Sequence, residues 1–359
     1  MQSFTQLSML AASLACLLAP APVASQGRAG DAATFTVGTA TARRGERAFG
    51  FLRVPPGSDA GLDIPVAVFH GKLPGPVLAL VAGAHGTEYA SIIALERLIQ
   101  RLDATAISGT VIVVPLINIP SFEQKIAHVN PVDGKNMNRF YPGTSNGTQT
   151  ERASFLITTQ VVQQADHLID FHGGDIDESL RPFSYWTVSG NVRQDSISRR
   201  MVVAFGLDHI VVSTDRPKDP GASRYLENTA TTRGKPSITV EAGYAGTVMP
   251  ADVELLVNGS LNVMAQLKML TRPVAPARKS VWLTELLNVT GNNNGIFYPL
   301  VQRGQRVTKG MRLGYITDYL GAKVEDAVAP GSGIVLYIRA VPSMTKGETI
   351  ASIGVPGTP

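Results

Sequence analysis

The 359-residue chain is 44% apolar and 17% charged, a globular balance that excludes bulk disorder and allows one large domain plus a smaller one. Its net charge of +4 comes from Lys and Arg scattered along the chain, with no basic stripe, which argues against a nucleic-acid partner. Cys16 is the single cysteine, so a mature form cleaved beyond it has neither disulfides nor thiolate metal sites, and any metal must rest on His, Asp or Glu.

Residues 1–25 carry no charged side chain and pass from an apolar run at 9–18 into Ala/Pro-rich residues ending Val23-Ala24-Ser25. The run is too short to cross a bilayer and reads as a cleavable secretory signal, cut after Ser25, which places the protein in the periplasm or outside the cell. Lipid attachment at Cys16 is the alternative cleavage reading. No transmembrane segment is expected. Residues 26–34 are small and polar, a flexible lead-in. Strands are expected at 49–54, 64–69 and 76–82, the last an unbroken apolar run suited to burial on both faces. Helix 91–99, strand 110–117, helix 151–164, strand 167–171, helix 193–205, strands 210–213 and 237–241, and helix 250–270 follow. Alternating helices and strands imply an α/β domain over 35–272, with a mixed, mostly parallel sheet flanked by helices. A Pro-rich stretch at 271–278 is a linker. Beyond it, short β-rich runs at 295–301, 313–317 and 333–338 predict a separate barrel-like β-domain over 280–357. Within it, 301–310 recurs loosely as 340–348, each with a hairpin turn at Lys-Gly.

Three strand ends deliver titratable groups into glycine-containing turns. Gly83-Ala84-His85-Gly86-Thr87-Glu88 follows the run at 76–82, His172-Gly173-Gly174 ends the strand at 167–171, and Glu241-Ala242-Gly243 ends the strand at 237–241. In open α/β sheets, sites gather at the carboxyl ends of strands. Two His and one Glu form the ligand set of a catalytic zinc with one position left for water, and a further carboxylate nearby serves as that water's base. Asp170 is expected to orient a ligand from behind.

With Asp133-Gly134-Lys135-Asn136-Met137-Asn138-Arg139-Phe140-Tyr141-Pro142-Gly143 added to these motifs, the sequence resembles the succinylglutamate desuccinylase/aspartoacylase family, relatives of the zinc carboxypeptidases. The resemblance covers most of the mature chain. It implies one zinc per chain on His85, Glu88 and His172, with Glu241 as general base and acid. It also implies that Asn138 and Arg139 grip a substrate carboxylate, a task suited to a guanidinium fork beside an amide donor. Deacylases of this group usually carry an arginine shortly before the Asn-Arg pair to polarise the scissile carbonyl. Here residues 126–131 read Ile-Ala-His-Val-Asn-Pro, so His128, Arg139 or an arginine from elsewhere takes that role. The expected reaction is hydrolysis of the amide of an N-acyl amino acid or similar small carboxylate-bearing molecule. The alternatives are a zinc carboxypeptidase acting on peptides, cell-wall peptides included, and an inactive zinc-binding module.

Overall fold

The computed structural model describes residues 32–214, 216–273 and 279–359. The apolar leader with Cys16, most of the lead-in and most of the linker lie outside these described residues.

A hairpin of β1 (Thr34–Val37) and β2 (Ala40–Arg43) precedes a long sheet. That sheet takes β3 (Glu46–Val54), β4 (Leu62–His70), β5 (Leu73–Ala82), β6 (Ser108–Val114), β7 (His167–His172), β8 (Glu178–Leu180), β9 (Phe183–Thr187), β10 (His209–Ser213), β11 (Ser237–Glu241) and β12 (Val281–Thr290). The helices are α1 (Tyr89–Arg101), α2 (Ile119–Gln124), α3 (Gln149–Leu156), α4 (Val192–Phe205), α5 (Leu226–Thr231) and α6 (Pro250–Gln266). The order across the sheet is β3-β4-β6-β5-β7-β11-β9-β10-β12. β6, β5, β7 and β11 run parallel, as do β9, β10 and β12, and an antiparallel β11/β9 pair joins the two blocks. The sheet is therefore mixed, as expected, but its outer strands pair antiparallel, so the expected parallel majority is confined to its middle.

The apolar run of β5 is buried on both faces because successive side chains point opposite ways. Leu78, Leu80 and Ala82 pack into one cluster with α1, α4 and α6, while Val77, Ala79 and Val81 face the other cluster with α3, α5 and the β1/β2 hairpin. Tight backbone approach holds the β7 and β11 ends together. Gly174 sits at φ 73°, and a Cβ there would collide with the backbone of Gly243.

The C-terminal region is all β: β13 (Gly295–Pro299), β14 (Arg306–Val307), β15 (Arg312–Thr317), β16 (Lys323–Val328), β17 (Gly333–Arg339), β18 (Ser343–Met344) and β19 (Thr349–Pro356). β14 and β18 each lead into a turn, at Lys309-Gly310 and Lys346-Gly347, with φ 81° and 92° at the glycines. β16-β15-β13-β18 form their own sheet, whereas β14-β17-β19 continue the main sheet through β12. β12 pairs in parallel with β10, and β8 pairs with β17. Among the described residues, no helix is long and apolar enough to cross a membrane.

Candidate active site

His172 closes β7 and Glu241 closes β11. The two are register partners in neighbouring parallel strands, and Asp170 and Thr239 stand in register one step back on the same face. Ile169, Phe171, Ile238 and Val240 anchor the opposite face of both strands in the core. The loop after β5 brings in His85 and Glu88, where Glu88 is the residue before α1.

These groups converge. The Glu88 carboxylate lies 2.7 Å from His85 Nδ1 and 2.9 Å from His172 Nδ1. Ligand atoms of the three residues all lie within 4.8 Å of one another. The outer nitrogens are fixed as well, His85 Nε2 at 3.2 Å from Asn136 Oδ1 and His172 Nε2 at 3.2 Å from Asp170 Oδ1. Asp170 thus stands directly behind His172.

The Nδ1 atoms of both histidines converge on the one Glu88 carboxylate, while their outer nitrogens are held by Asn136, Asp170 and Asn138. The donor set therefore fits a metal such as zinc. The electrostatics agree: burial alone would raise the Glu88 carboxyl, yet His85 and His172 hold it well below the usual range. Burial would lower His172, but Asp170 and Glu88 hold it well above an ordinary imidazole.

Glu241 is half-buried and, among the described residues, its carboxylate has no side-chain hydrogen bond or ion pair. Burial raises it well above an ordinary carboxyl; His172 opposes this, and Glu88, Glu178 and Asp170 add to it. Such a group holds a proton readily and can hand it on.

Asn138 and Arg139 lie on a short 3₁₀ turn, Met137–Arg139. The Asn138 amide is 2.7 Å from His172 Nε2, so this residue buttresses His172 as well as facing the cavity. Arg139 is exposed; its guanidinium donates to the Asn138 carbonyl at 2.7 Å and lies 5.0 Å from the centre of the Tyr225 ring. Arg216 stacks on Tyr225 at 4.1 Å. Two guanidiniums beside one tyrosine give this part of the cavity a cationic lining that suits a carboxylate. The cavity itself measures about 600 Å³ and is lined by both arginines, the ligand set and Glu241, with Thr284, Glu285, Leu286 and Asn288 of β12 as a further wall.

His128 is also at the site, its ring 5.9 Å from that of His85. It lies 2.9 Å from Asp177 and 3.2 Å from Asp175, and Asp175 accepts from Thr87 at 2.5 Å. Burial would lower His128, but its hydrogen bond to Asp177 and the nearby Asp175 charge push it up to about 9. Sequence reasoning did not single out Glu178, Tyr185, Arg216 or Tyr225. Glu178 is pushed up to about 7 by burial and by Glu88. A charged residue on a three-residue strand leaves no local pattern to read.

The sequence pattern of the succinylglutamate desuccinylase/aspartoacylase catalytic domain matches residues 74–267. An N-alpha-acetyl-L-2,4-diaminobutyric acid deacetylase of Halomonas elongata is 27% identical over 314 residues, covering 85% of this chain and 90% of that protein. The product-bound structure of an ectoine utilization protein from Ruegeria pomeroyi superposes with a TM-score of 0.78 at 25% identity, over 86% of this chain and 95% of that one. A succinylglutamate desuccinylase/aspartoacylase from Rhodobacter sphaeroides shares the fold, with a TM-score of 0.77 at 24% identity over 87% of this chain and 96% of its own. With the motif-bearing residues gathered at one set of strand ends and the catalytic-domain pattern spanning more than half the chain, the protein belongs to the succinylglutamate desuccinylase/aspartoacylase family, deacylases that hydrolyse amide bonds.

Proposed function

We propose that the protein is a zinc-dependent deacylase that removes the acyl group from an N-acyl amino acid or a similar small molecule with a carboxylate. The observation that carries this reading is the Glu88 carboxylate set 2.7 and 2.9 Å from two Nδ1 atoms whose rings are pinned from behind. His85, Glu88 and His172 would hold one zinc, which when bound supplies Lewis acidity toward the carbonyl and lowers the pKa of its water. Glu241 accepts the proton of the attacking water and delivers it to the leaving amine nitrogen. Arg139, with Arg216 beside it, holds the substrate carboxylate, and Asn138 and Asp170 keep His172 aligned. The relative from Halomonas elongata, named for an acetylated diamino acid, supports an N-acyl amino acid as substrate. The strands after residue 280 are proposed to form a barrel-like unit, set against the hydrolase unit of 35–272. Because β12 walls the cavity, a small molecule fits better than the extended peptide a carboxypeptidase needs.

The test is metal content beside turnover. Purified protein should hold about one zinc per chain and hydrolyse N-acyl amino acids; His85→Ala and His172→Ala should lose both zinc and activity. Full zinc in both variants, or release of chain-end residues from peptides with no N-acyl amino acid cleaved, overturns the reading. Export is proposed too, from the uncharged leader. N-terminal sequencing should then begin close to Gln26, and an intact Met1 on cytoplasmic protein contradicts it.

A further inference from the structure

The catalytic cavity continues into a second chamber of about 530 Å³. Arg139, Glu178, Tyr185, Glu241, Leu286 and Asn288 line both spaces, so the seam between them passes Glu241. Arg216 and Tyr225 face only the first chamber; His128, Asp177 and Arg339 face only the second. With the substrate carboxylate drawn to the arginines and Tyr225, the scissile amide lies at the seam and the acyl group runs into the second chamber. That volume is in the range that holds a drug-sized ligand, far beyond what an acetyl group fills. Leu180, Phe183, Leu286 and Leu336 give it an apolar wall.

Among the described residues, three of the chamber's charged groups, Arg139, Glu178 and Glu241, have no ion pair, and a His128 ring nitrogen lies within 4.8 Å of the Glu178 carboxylate. Asp177 lies 2.9 Å from His128 and 3.5 Å from Arg339, and Glu348 lies 3.0 Å from Arg339. Glu178 has no ion pair among the described residues, and its side chain accepts one hydrogen bond, from the Asp175 N–H at 3.1 Å. Half-buried and flanked by apolar wall, such a carboxylate favours a ligand that brings its own cation.

We propose that Glu178 determines specificity for the acyl group: on the deacylase reading above, the second chamber takes an acyl chain longer than acetyl that ends in an ammonium, and Glu178 receives that ammonium.

The experiment compares 4-aminobutanoyl, pentanoyl, acetyl and succinyl derivatives of one amino acid on the zinc-loaded enzyme. The first two are near-isosteric and differ in the terminal charge. The expected kcat/KM is at least about tenfold higher for 4-aminobutanoyl than for pentanoyl, with the difference chiefly in KM, and Glu178→Gln should collapse that ratio toward one. Calorimetric binding of the same two compounds to the Glu241→Gln protein reads the chamber without turnover, and serves if Glu178→Gln does not fold. Failure of every derivative to be hydrolysed sinks the deacylase reading. Equal binding of the two compounds, a preference for acetyl or succinyl, or a ratio left intact in Glu178→Gln overturns the role of Glu178. So does a second metal bound per chain and lost in Glu178→Gln, since His128, Asp177 and Glu178 could converge on a cation instead.

Discussion

Glu241 and His172 end adjacent strands in register, yet they answer to different chemistry. His172 has carboxylates at both nitrogens, while the Glu241 carboxylate is left without a side-chain partner among the described residues. Glu241→Gln is nearly isosteric, so fold and zinc content should persist while kcat falls by about two to four orders of magnitude, the usual worth of a positioned general base. Zinc lost together with activity would make Glu241 a ligand instead, and near-wild-type turnover would place the base elsewhere. Arg139→Ala should act mainly through KM for carboxylate-bearing substrates, because binding and not proton transfer is removed. His85, Glu88, His172 and Glu241 were legible because each lies at or just after the end of a buried strand, in or beside a glycine-containing turn. Arg216 and Tyr225 were not, since they lie in an irregular stretch before α5 where neither periodicity nor a glycine turn marks a function.

Strand β8 shows how a short element acts at a distance from its sequence neighbours. Its three residues pair with β17, with Glu178 opposite Arg339, and the chain just before β8 carries Asp175 and Asp177 to the His128 ring. His128 itself sits at φ 60°, a conformation that a histidine adopts only when its surroundings hold it there. These carboxylates raise its pKa to about 9, so the folded state binds the proton more tightly than the unfolded state. The stability this contributes is full below about pH 6.5, the unfolded value, and is lost as pH rises through about 9. In metal-free protein, Tm should therefore fall between pH 6.5 and 9, and His128→Asn should flatten that part of the profile. An unchanged slope in His128→Asn would assign the titration to another group. Long elements such as β5, an unbroken apolar run, and α4 were readable from their local pattern. β8 was not, because its partner is far along the chain and its polar residues serve the cavity.

At the scale of the molecule, the C-terminal strands were readable as β but not as an extension of the catalytic sheet. The element that makes the join, β12, breaks its apolar run with Thr284, Glu285 and Asn288, which face the cavity, and so lacks the pattern of a buried strand. The join itself is apolar: Leu180, Phe183, Val211, Leu283 and Leu336 form one cluster contributed by β8, β9, β10, β12 and β17. Burial of this cluster ties the walls of the second chamber to the strands that carry Glu241 and His172, so neither part should unfold alone. Leu283 is fully buried at its centre. Leu283→Ala should cost about 2–5 kcal/mol, the range for a leucine truncated in a core. The loss should appear as one cooperative transition at lower temperature, with activity and both parts of the chain melting together. Two resolved transitions by calorimetry, with only the later strands destabilised, would show instead that the join is a loose contact between independent units.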